Sequence, residues 1–210
     1  MRKSYLRVKF SRRRERALPS ISLGLLVQVQ HHLEDCIANG LQGWVGIYWP
    51  LPGELDLRPL RLITHLRLAL PATKPGYILR YHPWVHGDCE SILEIDSCGI
   101  PAPLSEPPLE PEQLSLLLVP ALALDQRAIR LGYGGGYYDR LRSNPQWSRV
   151  FALAVLPYVC LTRKPLPRDP WDLPLNGWIT ERGITLVDSN NNCNPVPERL
   201  LLLKALRSNQ

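Results

Sequence analysis

The chain has 210 residues, 45% of them hydrophobic, and a formal net charge of +6. That length suits one domain with a core and a ligand cleft, and the apolar content excludes a disordered tail. No run approaches the roughly 20 apolar residues that span a bilayer, and the N-terminus lacks the apolar region of a secretory signal. The charge is uneven. Arg2, Lys3, Arg7, Lys9, Arg12, Arg13, Arg14 and Arg16 crowd the first sixteen residues against Glu15 alone. A polyanionic partner near that end is expected. Cys36, Cys89, Cys98, Cys160 and Cys193 show no C-x-x-C spacing, which predicts reduced thiols in a cytoplasmic protein rather than a zinc site or disulfide framework.

Residues 1–18 predict a basic helix, with Lys3 and Arg7 on one face and Leu6 and Phe10 as apolar contacts. Pro19 and Ser20 close it. A second helix is expected over residues 22–38, where Leu25, Leu26, Val29, Leu33 and Ile37 recur at helical steps before Asn39-Gly40. Residues 43–48 read as a buried strand, stopped by Trp49-Pro50-Leu51-Pro52-Gly53. Glu54 and Asp56 open a predicted helix to about Leu66. Strands follow at residues 68–70 and 77–81, then a proline-rich stretch over 82–113. Residues 114–120, LSLLLVP, make the strongest strand signal. A helix is expected from Tyr137, strands at 150–156, 178–180 and 184–187, a polar linker over 190–194 and a helix over 196–206. Alternation of helices with buried strands predicts one α/β domain over residues 1–190 with a largely parallel sheet. Residues 191–210 form its linker and terminal helix.

The segment that carries chemistry is RLGYGGGYYDR, residues 130–140. It follows a buried strand and enters a helix, where open α/β sheets bind ligands. Gly132, Gly134, Gly135 and Gly136 let backbone amides approach phosphate oxygens. Arg130 suits a two-pronged hydrogen bond to phosphate. Asp139 offers magnesium a hard oxygen. A tight turn packed on aromatic residues explains the glycines equally well. The segment is not a GxxxxGK[ST] phosphate loop, since no lysine and hydroxyl follow the glycines. The five histidines show no metal-ligand spacing.

Together with LLLVPALALD over residues 116–125, this segment resembles the signature of the 5-formyltetrahydrofolate cyclo-ligase family. Other landmarks fall in the family's order: Lys3-x-x-Leu6-Arg7, Ile47-Tyr48 through Gly53-Glu54, Leu70-Pro71, Trp84, Gly99-Ile100-Pro101-x-Pro103, Asp172-x-Pro174-Leu175 and Ile179-Thr180-Glu181-x-Gly183. The resemblance covers residues 1–187. It implies a Rossmann-like three-layer αβα fold. It also implies ATP-dependent conversion of 5-formyltetrahydrofolate to 5,10-methenyltetrahydrofolate with Mg2+, giving ADP and phosphate.

Carried over by position, Lys3, Arg7, Arg130 and the loop of Gly132, Tyr133, Gly134, Gly135, Gly136, Tyr137 and Tyr138 would hold ATP. Asp139, and Asp172 as a second ligand, would hold the metal. Trp49, Glu54, Trp84, Tyr133 and Tyr137 would face the folate, with Arg130 and Glu54 as the catalytic pair. A monomer is expected, with no nucleic-acid or membrane partner. Glu54 also suits a helix cap, Trp84 also suits core packing, and Arg12 to Arg16 read as a solvated face. Ala102, Leu124, Ala128, Tyr158, Arg168 and Asn176 depart from the family's usual residues, which leaves open a binding relative without this turnover.

Overall fold

One helix stands where two are predicted. In the computed structural model, which describes residues 2–85, 91–187 and 193–195, α1 runs unbroken over Lys3–Ala38, with Pro19 inside it. Proline lacks a backbone N–H and normally breaks a helix. Here both halves are held by burial. Leu6 and Phe10 pack into one apolar cluster and Leu25, Val29, Leu33 and Cys36 into another. At 1.5 Å per residue, α1 is about 54 Å long.

The remaining elements follow in order: β1 (Trp44–Gly46), β2 (Leu68–Lys74), β3 (Ile78–Trp84), β4 (Glu94–Ile95), β5 (Pro101–Ala102), β6 (Leu114–Pro120), β7 (Ala123–Asp125), β8 (Arg130–Leu131), α2 (Tyr137–Ser143), α3 (Pro145–Arg149), β9 (Ala152–Val155), β10 (Leu161–Thr162), β11 (Gly177–Thr180), β12 (Gly183–Val187) and β13 (Cys193–Pro195). The main sheet has the order β13-β12-β11-β9-β6-β1-β2-β3. Its centre, from β2 to β11, is parallel, and β3, β12 and β13 add antiparallel edges. Smaller sheets join β10-β7-β8 and β4-β5.

Period-two alternation sorts the core onto two faces. Val45, Leu68, Leu70, Leu116, Leu118, Leu153, Val155 and Ile179 meet the second half of α1. Ala69, Leu117, Val119, Ala152, Ala154 and Trp178 meet Leu6, Phe10 and Leu141 of α2 on the other side. Helices thus cover both faces, as the three-layer expectation requires. Among the described residues, no helix is long and apolar enough to cross a membrane.

Three further expectations need correction. The predicted helix after Glu54 shrinks to a 3-10 turn, Arg58–Leu62, because buried Leu55, Leu57, Leu60 and Leu66 do not recur at helical steps. Strand β2 continues through Pro71, because β1 pairs only with Leu68 and Ala69 and makes no demand on the missing N–H. Cys193–Pro195, read as part of a linker, pairs antiparallel with Thr185, Leu186 and Val187. The helix predicted over residues 196–206 lies outside the described residues.

Candidate active site

From β1 the chain moves to β2 on one side and later to β6 on the other. The carboxyl ends of β1 and β6 therefore flank a crevice, the usual ligand position in an open α/β sheet. A cavity of about 670 Å³ lies here. Tyr48, Trp49, Leu51 and Glu54 enter it beyond β1, Pro71 and Thr73 from the far end of β2, and Pro120 from the end of β6. Residues Arg130 to Arg140 form another wall, and α1 contributes Lys3 and Arg7. Every residue given a ligand, metal or catalytic role from the sequence lines the cavity except Trp84.

The glycine-rich loop is shaped by what it must avoid. Gly134 and Gly136 have φ of 111° and 71°, a left-handed region costly to any residue with a Cβ. A Cβ on Gly132 would come within 2.7 Å of the Arg130 guanidinium, and one on Gly134 within 3.3 Å of Arg7. The loop is bare where two cations cross it. Arg7 donates from Nε to the Gly132 carbonyl at 3.0 Å. Arg130 donates to Asp139 at 2.7 Å and to the Pro120 carbonyl at 3.3 Å, with its guanidinium over the Tyr138 ring. Asp125 anchors the strand before it, accepting from the amides of Arg127, Ile129 and Leu166 at 2.9, 3.0 and 2.9 Å.

Lys3 reaches across the cavity to Asp169 and Asp172, at 2.7 Å each. Burial pulls its ammonium pKa down, but hydrogen bonds to both carboxylates outweigh that and leave it raised. Asp139 and Asp172 both line the cavity. Among the described residues, no group of three His, Cys, Asp or Glu side chains could close around a metal. Two separated carboxylates still fit magnesium, which takes most of its shell from phosphates and water.

Glu54 is the other centre. It is buried, and its Oε2 accepts from the Leu51 amide at 2.8 Å, while Oε1 accepts from the Tyr133 hydroxyl. Burial raises its pKa; the bonds from Tyr133 and Leu51 and the charges of Arg14 and Arg130 oppose the rise. No helix begins at Glu54 for it to cap; its carboxylate instead closes the turn from Leu51. Trp84 is 3% exposed and lies edge-on behind Trp49 at 6.4 Å, so the sequence-based expectation that it stacks on a ligand gives way to core packing. Trp49 itself lines the cavity, with Arg58 over its ring at 4.7 Å. Tyr137 leans on Tyr77 and meets the Cys98 thiol at 3.0 Å, on a loop whose turn Asp96 holds through the amides of Cys98 and Ile100.

Sequence reasoning missed Arg14, Asp169 and Trp171. Asp169 and Trp171 line the cavity, three and one residues before Asp172 in the loop that meets Lys3. Arg14 was read with the solvated arginines but is buried against Glu54 and Tyr133. Its signal was present: Leu6, Phe10 and Arg14 stand four residues apart, on one helical face.

Cations and bare backbone on one wall, and aromatic rings around a buried carboxylate on another, make this α/β cavity fit for a polyanion beside a flat organic group. Residues 1–181 match the model of the 5-formyltetrahydrofolate cyclo-ligase family. The chain belongs to that family, whose members are ATP-dependent ligases of folate metabolism. It is 41% identical over 157 residues to the 5-formyltetrahydrofolate cyclo-ligase of Haemophilus influenzae, covering 70% of this chain and 80% of that protein. With the Escherichia coli K12 enzyme of the same name it shares 31% identity over 148 residues, 65% of this chain and 76% of that one. The NMR structure of Aquifex aeolicus 5,10-methenyltetrahydrofolate synthetase superposes with a TM-score of 0.70 at 30% identity, covering 88% of this chain and 92% of that one. A synthetase structure from Mycoplasma pneumoniae shares the fold, at TM-score 0.63, 18% identity and coverages of 86% and 99%.

Proposed function

We propose that the cyclo-ligase reaction runs in this cavity, with ATP and 5-formyltetrahydrofolate meeting across the glycine-rich loop. The phosphates lie against Lys3, Arg7, Arg130 and the backbone of residues 132–138. The folate lies against Trp49, Glu54, Tyr133 and Tyr137. The observation that carries this reading is the convergence of two cations from the start of α1 with Arg130 and a loop whose glycines leave much of its backbone bare.

The chemistry needs such an arrangement. A formyl oxygen is a poor leaving group. Transfer of the γ-phosphoryl group to that oxygen gives an imidoyl-phosphate-like intermediate and ADP. N10 then attacks the activated carbon, the ring closes, and phosphate departs with the former formyl oxygen. Phosphoryl transfer is helped mainly by positioning and by positive charge. Arg130 supplies a fixed guanidinium, which Asp139 and the Pro120 carbonyl keep in place. Lys3 supplies a charge held by Asp169 and Asp172, and Arg7 one anchored on the Gly132 carbonyl. Glu54 accepts hydrogen bonds from the folate's polar edge. Asp139, with Asp172 as a more remote ligand, would hold magnesium, which when bound neutralises phosphate charge. A monomer is the active unit in this reading.

The direct test is a spectrophotometric assay with 5-formyltetrahydrofolate, ATP and magnesium, following the methenyl product, with ATP omitted as control. ATP-dependent product is expected. Arg130→Ala should raise the KM for ATP at least about tenfold, the loss of one charge-assisted contact, and leave the KM for folate nearly unchanged. Folded protein that makes no product, or an Arg130→Ala enzyme with unaltered ATP dependence, overturns the reading.

A further inference from the structure

Arg14 has no part in the site assigned so far. It is 3% exposed, whereas Arg12, Arg13 and Arg16 on the same helix face solvent. A buried guanidinium is costly unless its protons and its charge are answered. Its Nη2 donates to the Pro52 carbonyl at 3.4 Å, and its Nη1 donates to the Tyr133 hydroxyl. Its charge is answered by Glu54, whose Oε1 lies 3.9 Å from Nη1. The Tyr133 hydroxyl donates to that same Oε1, while the Leu51 amide holds Oε2. Both oxygens of Glu54 are therefore engaged, and the tie runs from α1 through the glycine-rich loop to the segment beyond β1.

We infer that Arg14 is a positioning residue for the cyclo-ligase reaction: directly and through Tyr133, it holds Glu54 in one orientation and as a carboxylate. This rests on the reading that Glu54 meets the folate. The other ionisable groups that bear on Glu54 are Tyr48 from the segment after β1, Tyr133 and Arg130 from the glycine-rich wall, and Tyr138 from α2. Among the described residues, Arg14 is the cation in ion-pair contact with it. Opposite charge at this range lowers a carboxyl pKa by about 1–3 units, against the rise that burial imposes. Without Arg14 the carboxyl holds its proton to higher pH. The ionised form, and activity with it, then appears only at higher pH.

Arg14→Gln and Arg14→Lys are assayed for kcat, for both KM values and across pH. In Arg14→Gln the acid limb of kcat/KM for 5-formyltetrahydrofolate should move up by about one pH unit or more, and kcat/KM should fall about tenfold or more. The KM for ATP should stay within about twofold, and lysine should restore part of the loss, since it returns the charge without the fork. Combined with Glu54→Gln, Arg14→Gln should shift no limb, because the titrating group is gone. A limb that stays in place while activity and melting temperature fall together overturns the inference. Should Arg14→Gln not fold, Tyr133→Phe removes only the bridging hydroxyl and must move the limb in the same direction; an unmoved limb there also overturns it. Full activity in Glu54→Gln overturns the assignment of Glu54 and this inference with it. A damaged Glu54→Gln beside an unshifted Arg14→Gln overturns this inference alone.

Discussion

Asp139 has two demands on one carboxylate. Its Oδ1 accepts from Arg130 at 2.7 Å, and in the proposed function the group also holds magnesium. Asparagine keeps the shape and one acceptor oxygen but loses the charge. Asp139→Asn should therefore lower magnesium-dependent kcat/KM by at least about 10–100-fold, the cost of disturbing even the partners that orient a metal's ligands. Its melting temperature should stay within a few degrees, since the Arg130 pair is partly exposed and such pairs contribute about 1 kcal/mol or less. Titrating activity against magnesium, beside a melting curve, separates the two. Proportional loss of both would remove the metal role. Ala128 stands in the left-handed region at φ 56°, where glycine is at least cost. The turn there closes as the Ala128 amide donates to the Asp125 carbonyl at 2.9 Å. That the glycines of residues 132–136 and Asp139 line the cavity could be read from the sequence, because their types are tied to a ligand-facing turn. Residue type did not set Arg14 apart from the four other arginines within seven residues of it; only its helical spacing from Leu6 and Phe10 marked it.

Strands were legible where side chains declared them. LSLLLVP became β6 with the expected limits, because an uninterrupted apolar run has no place to go but a doubly covered strand. Helix α1 was misread at Pro19, since the rule that proline ends helices is local and the burial that overrides it is not. The hairpin of β11 and β12 depends on a glycine the sequence did not mark. At Gly177 a Cβ would sit 2.1 Å from the Thr185 carbonyl oxygen and 2.9 Å from the Leu186 Cα. Backbone cannot yield as a flexible side chain does. Gly177→Ala should destabilise the protein by about 2–3 kcal/mol, the range of overpacked sites. A denaturant midpoint shifted without change of slope would report it, and an unchanged midpoint would mean that the two strands separate freely.

At the scale of the molecule, α1 passes from one face of the sheet to the other beside the carboxyl ends of β1 and β9, so that one element both covers the core and supplies Lys3 and Arg7. Ligand binding and folding are linked through it. ATP with magnesium at about a hundred times its Kd should stabilise the native protein by about 2.7 kcal/mol. In Lys3→Ala the same rise in melting temperature should require at least about tenfold more ATP, a difference of about 1.4 kcal/mol. Equal ATP response in the two proteins would exclude Lys3 from the nucleotide's contacts.

The clasp of Lys3 by Asp169 and Asp172 joins residues 166 and 169 positions apart. During synthesis the lysine emerges well before its partners. Until the loop between β10 and β11 exists, the start of α1 has no carboxylates to hold. Contacts this distant in sequence form late, because the long loop they close must be ordered first. A growing or truncated chain can bury much of its sheet and still have no reaction centre, so the appearance of ATP binding would time the last step of folding rather than the first.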